Sequence, residues 1–273
     1  MISEDTVIHA QLEVSECTAE LYVNGVPVTR IAFSPTRIPI ENVAVMQLLV
    51  PGTNTIEIVV EPGSTPSRAR DEKREEPFRK MHAIGRLIRF GEGVPGLVEH
   101  GDLLAEVAFR WQDASVDRQT FPQATSMQVE MGAAFGRWGW QNGADLVLDE
   151  ATVAEAIAVL DEVESAIRAF HADRFWALTK LQIDDVLKAY PAVTEEYLRG
   201  DLASMMKHFE KGRDPVVARD PAKHDFRIVG GGKLLQCIDE DWSTSFKLRD
   251  PSGGEVPYTI FLARIDGRLR IVR

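Results

Sequence analysis

The chain reads as two domains. Residues 1–148 predict an all-β sandwich of jelly-roll type, and residues 149–273 predict an α+β domain with three helices packed on an antiparallel meander sheet. Three observations carry this reading. Short strand-like runs separated by Asn-Gly and Pro-Gly turns fill the first half. At Asp149 the hydrophobic period changes from two to between three and four. Beyond Gly212, short strands and glycine turns return. A length of 273 residues leaves room for a core in each half.

The first half is read element by element from its turns. The runs "AELYV" and "VPVTRI" flank Asn24-Gly25, a dipeptide that accepts the positive φ angles of a tight hairpin turn. "VAVMQLLV" meets Pro51-Gly52, and "NTIEIVVE" follows with Ile56, Ile58 and Val60 on one face until Pro62-Gly63. The further strand candidates are "GRLIRF", "LLAEVAFRW", "SMQVEMGAAF" and "RWGWQ". The run from Gly63 to Lys80, with mixed charge and two prolines, predicts an exposed loop.

In the second half, Val153, Ile157, Leu160, Val163, Ile167 and Phe170 form one stripe of an amphipathic helix, capped by Asp149 or by Thr152 with Glu155. Asp173 caps a predicted second helix through "RFWALTKLQIDDVLKAY", ended by Pro191. Asp201 caps a third, "LASMMKHFEK", stopped by Gly212. The closing runs "DFRIV", "KLLQCI", "TSFKLRD", "VPYTIFLARI" and "RLRIV" are joined by short turns, as in a meander.

Composition narrows the function. With 31 basic and 42 acidic residues the net charge is −11, and 13 basic residues face 21 acidic ones through Asp149. An acidic balance argues against nucleic-acid binding, which needs a concentrated basic surface. Cys17 and Cys237 fall in different predicted domains and read as two buried thiols of a reducing compartment. No secretory leader and no apolar run of membrane-spanning length is visible, which predicts a cytoplasmic protein.

The chemical motifs do not pass their context tests. Gly91, Gly93 and Gly96 spell the dinucleotide-binding pattern, but Pro95 and the short "LVEH" leave no room for the helix that would hold a pyrophosphate. "GGGK" at Gly230 to Lys233 is followed by Leu234 where a phosphate loop needs Ser or Thr. The six histidines show no metal-binding spacing, so neither metal nor cofactor is expected. What remains is a pocket between helices and sheet in the second domain. His208, Asp225 or Tyr258 would be its acid or base, and Trp176 and Trp242 would be among its ligand-binding aromatics. Trp138 and Trp140, alternating on a predicted strand, could present a platform to sugar rings if exposed together, whereas in a core they would only pack.

Two resemblances follow from particular residues. Asn24, Gly25, Pro51, Gly52, Asn54 and Ile56, in "AELYVNGVPV" and "LLVPGTNTIEIVVEPG", resemble the galactose-binding-like β-sandwich modules over about 45 residues. All six are turn or core residues, so they imply the fold and not sugar binding. Residues 150–273, with "AFHAD", "LASMMKHF" and "FLARIDGRLRIV", resemble the nuclear transport factor 2-like superfamily, which pairs a cone of helices with a bent antiparallel sheet. Members of that superfamily include isomerases, dehydratases and non-catalytic binding domains. The expected function is therefore non-enzymatic binding or assembly with an unidentified protein or small molecule. The alternative is a small-molecule enzyme of isomerase or dehydratase type.

Overall fold

A computed structural model describes residues 6–34, 37–91, 100–132, 136–212 and 214–273. The chain is strand-rich and divides into two compact units, Met1–Arg137 and Trp138–Arg273. The first contains β1 (Val7–Ser15), β2 (Thr18–Val23), β3 (Val26–Ile31), β4 (Ile40–Ala44) and β5 (Gly52–Glu61). It continues with β6 (Arg74–Pro77), β7 (Met81–Phe90), β8 (Asp102–Trp111), β9 (Arg118–Phe121) and β10 (Gln123–Met131). Two four-stranded antiparallel sheets result, in the orders β4-β1-β7-β8 and β10-β5-β2-β3, while β6 and β9 pair separately.

Local chemistry explains the second sheet. Asn24 and Gly25 both take positive φ, 52° and 72°, which is what a two-residue hairpin between β2 and β3 requires. Alternation then buries Asn54, Ile56, Ile58 and Val60 on one face of β5. That face packs against the first sheet. A methyl group on Gly85 of β7 would stand 2.7 Å from Leu21 Cδ1 and 2.9 Å from Ile58 Cγ2, so glycine is needed for the close approach.

At the turn into β5 sits a fully satisfied buried amide. Asn54 Nδ2 donates to the carbonyls of Val50 (2.8 Å) and Gly52 (3.0 Å). Its Oδ1 accepts from the amide of Val50 and from Asn24 Nδ2, both at 2.8 Å. Asn24 in turn donates from Nδ2 to the Leu48 carbonyl and accepts the Thr55 amide at Oδ1.

Several sequence expectations change. The Gly63–Lys80 loop carries strand β6 and a 3-10 turn at Ser67–Ala69 that buries Ser67. "VAVMQLLV" is the end of β4 followed by a 3-10 turn at Met46–Leu48, and "RWGWQ" contains a 3-10 turn at Gly139–Asn142 instead of a strand. In both cases large apolar residues are buried from a turn, and burial alone does not distinguish a turn from a strand. Ala133 to Phe135, the end of the predicted strand "SMQVEMGAAF", lie outside the described residues.

The second unit holds α1 (Glu150–Arg168), α2 (Ala172–Leu178), α3 (Lys180–Ala189) and α4 (Glu195–Phe209). It ends in β11 (His224–Val229), β12 (Leu234–Asp239), β13 (Lys247–Arg249), β14 (Glu255–Pro257), β15 (Ile260–Ile265) and β16 (Arg268–Ile271). The sheet runs β11-β12-β15-β16, an antiparallel meander with the β13–β14 hairpin inserted. Leu160, Val163 and Ile167 of α1 share one core cluster with Phe226, Leu235, Cys237, Ile260 and Leu262.

The described helices number four, not three. The second predicted helix divides at Thr179, whose hydroxyl donates to the Phe175 carbonyl at 2.9 Å and ends α2 where α3 begins. Asp149 caps α1 by accepting the Thr152 amide at 2.8 Å. Thr194, not Asp201, caps α4, and Asp201 lies within the helix because Glu195 and Glu196 supply a favourable first turn. Asp173 is likewise inside α2 and caps nothing. α1 ends without glycine, at Phe170, which takes φ 53° while the His171 amide donates back to Ala166 at 2.9 Å.

Replacing Asn54 by alanine would remove the side-chain partner of backbone groups of half-buried Val50 and Gly52. The variant is expected to lose about 2–4 kcal/mol of stability in chemical denaturation. A loss below about 0.5 kcal/mol would show that the amide is dispensable.

Candidate functional site

The side chains singled out for catalysis stand on separate segments. His208, exposed on α4, places Nε2 2.8 Å from Asp250 Oδ2. The Asp250 carboxyl is drawn down to about 2 by hydrogen bonds from Ser252 and His208. Tyr258 instead packs its ring on Phe175 and Phe246, with centroids 5.9 and 6.2 Å away, and burial pushes its phenol up to about 12. Asp225 sits half-buried on β11 opposite Ile238. These groups stand on three segments and make the contacts described above with different sets of neighbours.

The tryptophans are packing residues. Trp138 is 1% exposed and Trp140 8%, which removes the exposed sugar platform. The turn that carries them is anchored by Asp185, whose two carboxylate oxygens accept the Gly139 amide at 3.0 and 2.9 Å. Lys188 lies 5.0 Å from the Trp138 ring centroid. Trp176 is buried with the Arg199 guanidinium 4.1 Å above it, and half-buried Trp242 carries Arg227 at 5.0 Å. Both faces offered to ligands are thus covered by the protein's own cations.

The glycine motifs resolve by strand direction. Gly91 follows β7, and Gly93 and Gly96 lie outside the described residues. The strands on either side, β7 and β8, are antiparallel neighbours, which excludes a βαβ crossover between them. Gly230, Gly231 and Gly232 all take positive φ in the turn joining β11 to β12. Among the described residues no group of three or more His, Cys, Asp or Glu is placed to hold a metal ion. No described helix is long and apolar enough to cross a membrane.

What sequence reading missed lies at the rim of the second sheet. A sheet edge presents a row of backbone donors and acceptors that can pair with another strand, and proteins usually blunt such edges. Among the four edges of the two four-stranded sheets, three are blunted. β4 is five residues long. β3 contains Pro27 and Arg30 and bulges at Val28, where Leu21 pairs Thr29 but Tyr22 pairs Pro27. β8 carries Asp102, Glu106 and Arg110 and bulges at Leu104, between the Leu87–Ala105 and Ile88–Leu103 pairs.

β10 has neither the shortness nor the bulges of these strands. Its nine residues, QATSMQVEM, contain no proline and one charge. It pairs with β5 without a register slip, from Gln123 opposite Val60 to Met131 opposite Gly52. Its other side has no ladder partner among the described residues. The charge, Glu130, is turned back across the ladder, where Thr53 Oγ1 donates to it.

The register also exposes part of the core face. Met127 lies opposite Ile56, and Thr125 opposite Ile58. Ile56 is fully buried, yet Met127 on the same face is 44% exposed, so the apolar face of the sheet is open at the middle of β10, between half-buried Thr125 and Val129. Such an edge can bind an extended segment by main-chain hydrogen bonds, with side-chain selection through alternate residues. The sequence signal was the alternation of Thr125, Met127 and Val129 in a nearly uncharged run.

Compared with protein-family models, curated proteins and solved structures, the chain matches none. The thiols give one direct check on reactivity. Burial raises the Cys17 thiol to about 12 and moves the Cys237 thiol up as well. A disulfide-exchange reagent is expected to label neither cysteine in the native protein and both after denaturation. Rapid native labelling would place a reactive thiol at the surface.

Proposed function

We propose that this chain is a non-enzymatic binding or assembly protein. Its first unit is read as a β-sandwich that presents β10 to an extended polypeptide. Its second unit is read as a nuclear transport factor 2-like scaffold of helices over a meander sheet. The observation that carries the binding reading is the exposure of Met127 on a face where Ile56, directly opposite it on β5, is fully buried. An apolar side chain in that position gains by being covered. Each Å² removed from water contributes about 25 cal/mol, and the main-chain groups beside it gain partners at the same time.

The contacts described for His208 and Tyr258, with Asp250 and with Phe175 and Phe246, serve packing and pairing within the fold, which supports the same reading. The test is selection of random displayed peptides on the wild-type chain, with counter-selection on Met127→Lys. Enriched peptides should alternate apolar residues and should bind the lysine variant at least about tenfold more weakly. Failure to enrich any peptide that distinguishes the two proteins would remove the reading.

A further inference from the structure

Resting on that reading, we propose that the strand docking on β10 is β10 of a second copy of this chain, antiparallel about a two-fold axis through Met127. The strand is suited to pair with itself. With the axis at Met127, Gln123 opposes Met131, Ala124 opposes Glu130, Thr125 opposes Val129 and Ser126 opposes Gln128, so all nine residues take part. Directly opposed residues of antiparallel strands project to the same side. The core-facing residues of one copy therefore meet the core-facing residues of the other, and the two exposed Met127 side chains cover each other.

Other registers are worse. An axis between residues would oppose Ser126 to Met127 and turn the core face of one copy to the outer side of its partner. An axis at Glu130 would set two like charges face to face, a destabilising pair. With the axis at Met127, the two Glu130 residues stand six positions apart, about 20 Å at roughly 3.4 Å per residue. At physiological ionic strength that exceeds the screening length of about 8 Å.

Charge selects this place on the molecule as well. The chain carries a net charge of −11, so most of its surface repels a second copy, while β10 offers one carboxylate in nine residues. Pairing joins two four-stranded sheets into one of eight, in the order β3-β2-β5-β10 followed by its two-fold image. The edge that lacks negative-design features becomes an interior position.

The full chain is tested by sedimentation over a range of micromolar concentrations, with cysteine cross-linking. The wild type is expected to dimerise, and Met127→Lys to weaken the dimer at least about tenfold while keeping the native thermal transition. If that variant loses its fold, Val129→Lys gives the same reading from the neighbouring inward position. Under mild oxidation Met127→Cys should cross-link between copies, and Ala124→Cys should not, because its own image lies about 20 Å away. The native thiols are buried and do not interfere. A wild type that stays monomeric overturns the proposal, as does a dimer indifferent to both lysine variants or cross-linked equally through both cysteines. Peptide selection separates the two readings. A monomer that still selects peptides at β10 keeps a binding edge with a different partner, and one that selects none loses both.

Discussion

The pairing of half-buried Asn24 with fully buried Asn54 is the interaction on which the first unit depends. Its amides tie the β2–β3 turn, the segment before β5 and the start of β5 into one hydrogen-bonded node. A wholly buried amide is tolerated only when its donors and acceptors are satisfied, and Asn54 meets that condition with four bonds. The node has a directional consequence. By fixing where β5 begins, it decides which residues of β5 face the core, and β10 inherits that register residue for residue. A slip of one position would turn Met127 away from the core face and put Ser126 and Gln128 there.

The same register makes the bareness of β10 meaningful. Edge strands are usually protected at some loss of stability by charges, proline or bulges, and β3, β4 and β8 follow that pattern. Removing the protection from one edge of four is not explained by packing, because Met127 gains nothing from standing 44% exposed. Burial against another strand supplies the missing stabilisation. These edges belong to one small unit under one net charge, so composition alone cannot account for the contrast between them.

How much was legible in the sequence depended on whether the signal was local. The turn at Asn24-Gly25 and the alternation of Ile56, Ile58 and Val60 follow from neighbouring residues, and β2, β3 and β5 appear where they were expected. The meander after Gly212 was legible for the same reason. The role of Asn54 was not, since its partners lie up to 30 residues away in the chain. Strand β6 was hidden because Arg74, Glu75 and Glu76 carry the charge of a solvated loop, and only pairing with β9 makes them a strand. The division between α2 and α3 rests on one hydroxyl of Thr179, which helix periodicity does not register. Edge status is a property of sheet order, and no window along the chain contains it.

In the second unit the ionisable groups act as fasteners, which bears on what the chain can do. Arg219 reaches Glu164 at 2.9 Å and also meets Asp161, and Arg168 joins Glu164 at 2.8 Å and pairs with Asp214. Together they bind the outer side of α1 to the segment that follows α4. His224, 1% exposed at its side chain, places Nδ1 2.7 Å from Asp239 Oδ1 and so links the ends of β11 and β12. Arg264 and the Leu269 amide both donate to Glu155, fixing α1 to the last hairpin. A group committed in this way is oriented by the fold and screened from a substrate, so its removal would be felt as lost stability before lost chemistry. In the second unit these groups hold helices to a sheet. In the first unit, the outer side of β10 is an edge without a ladder partner among the described residues.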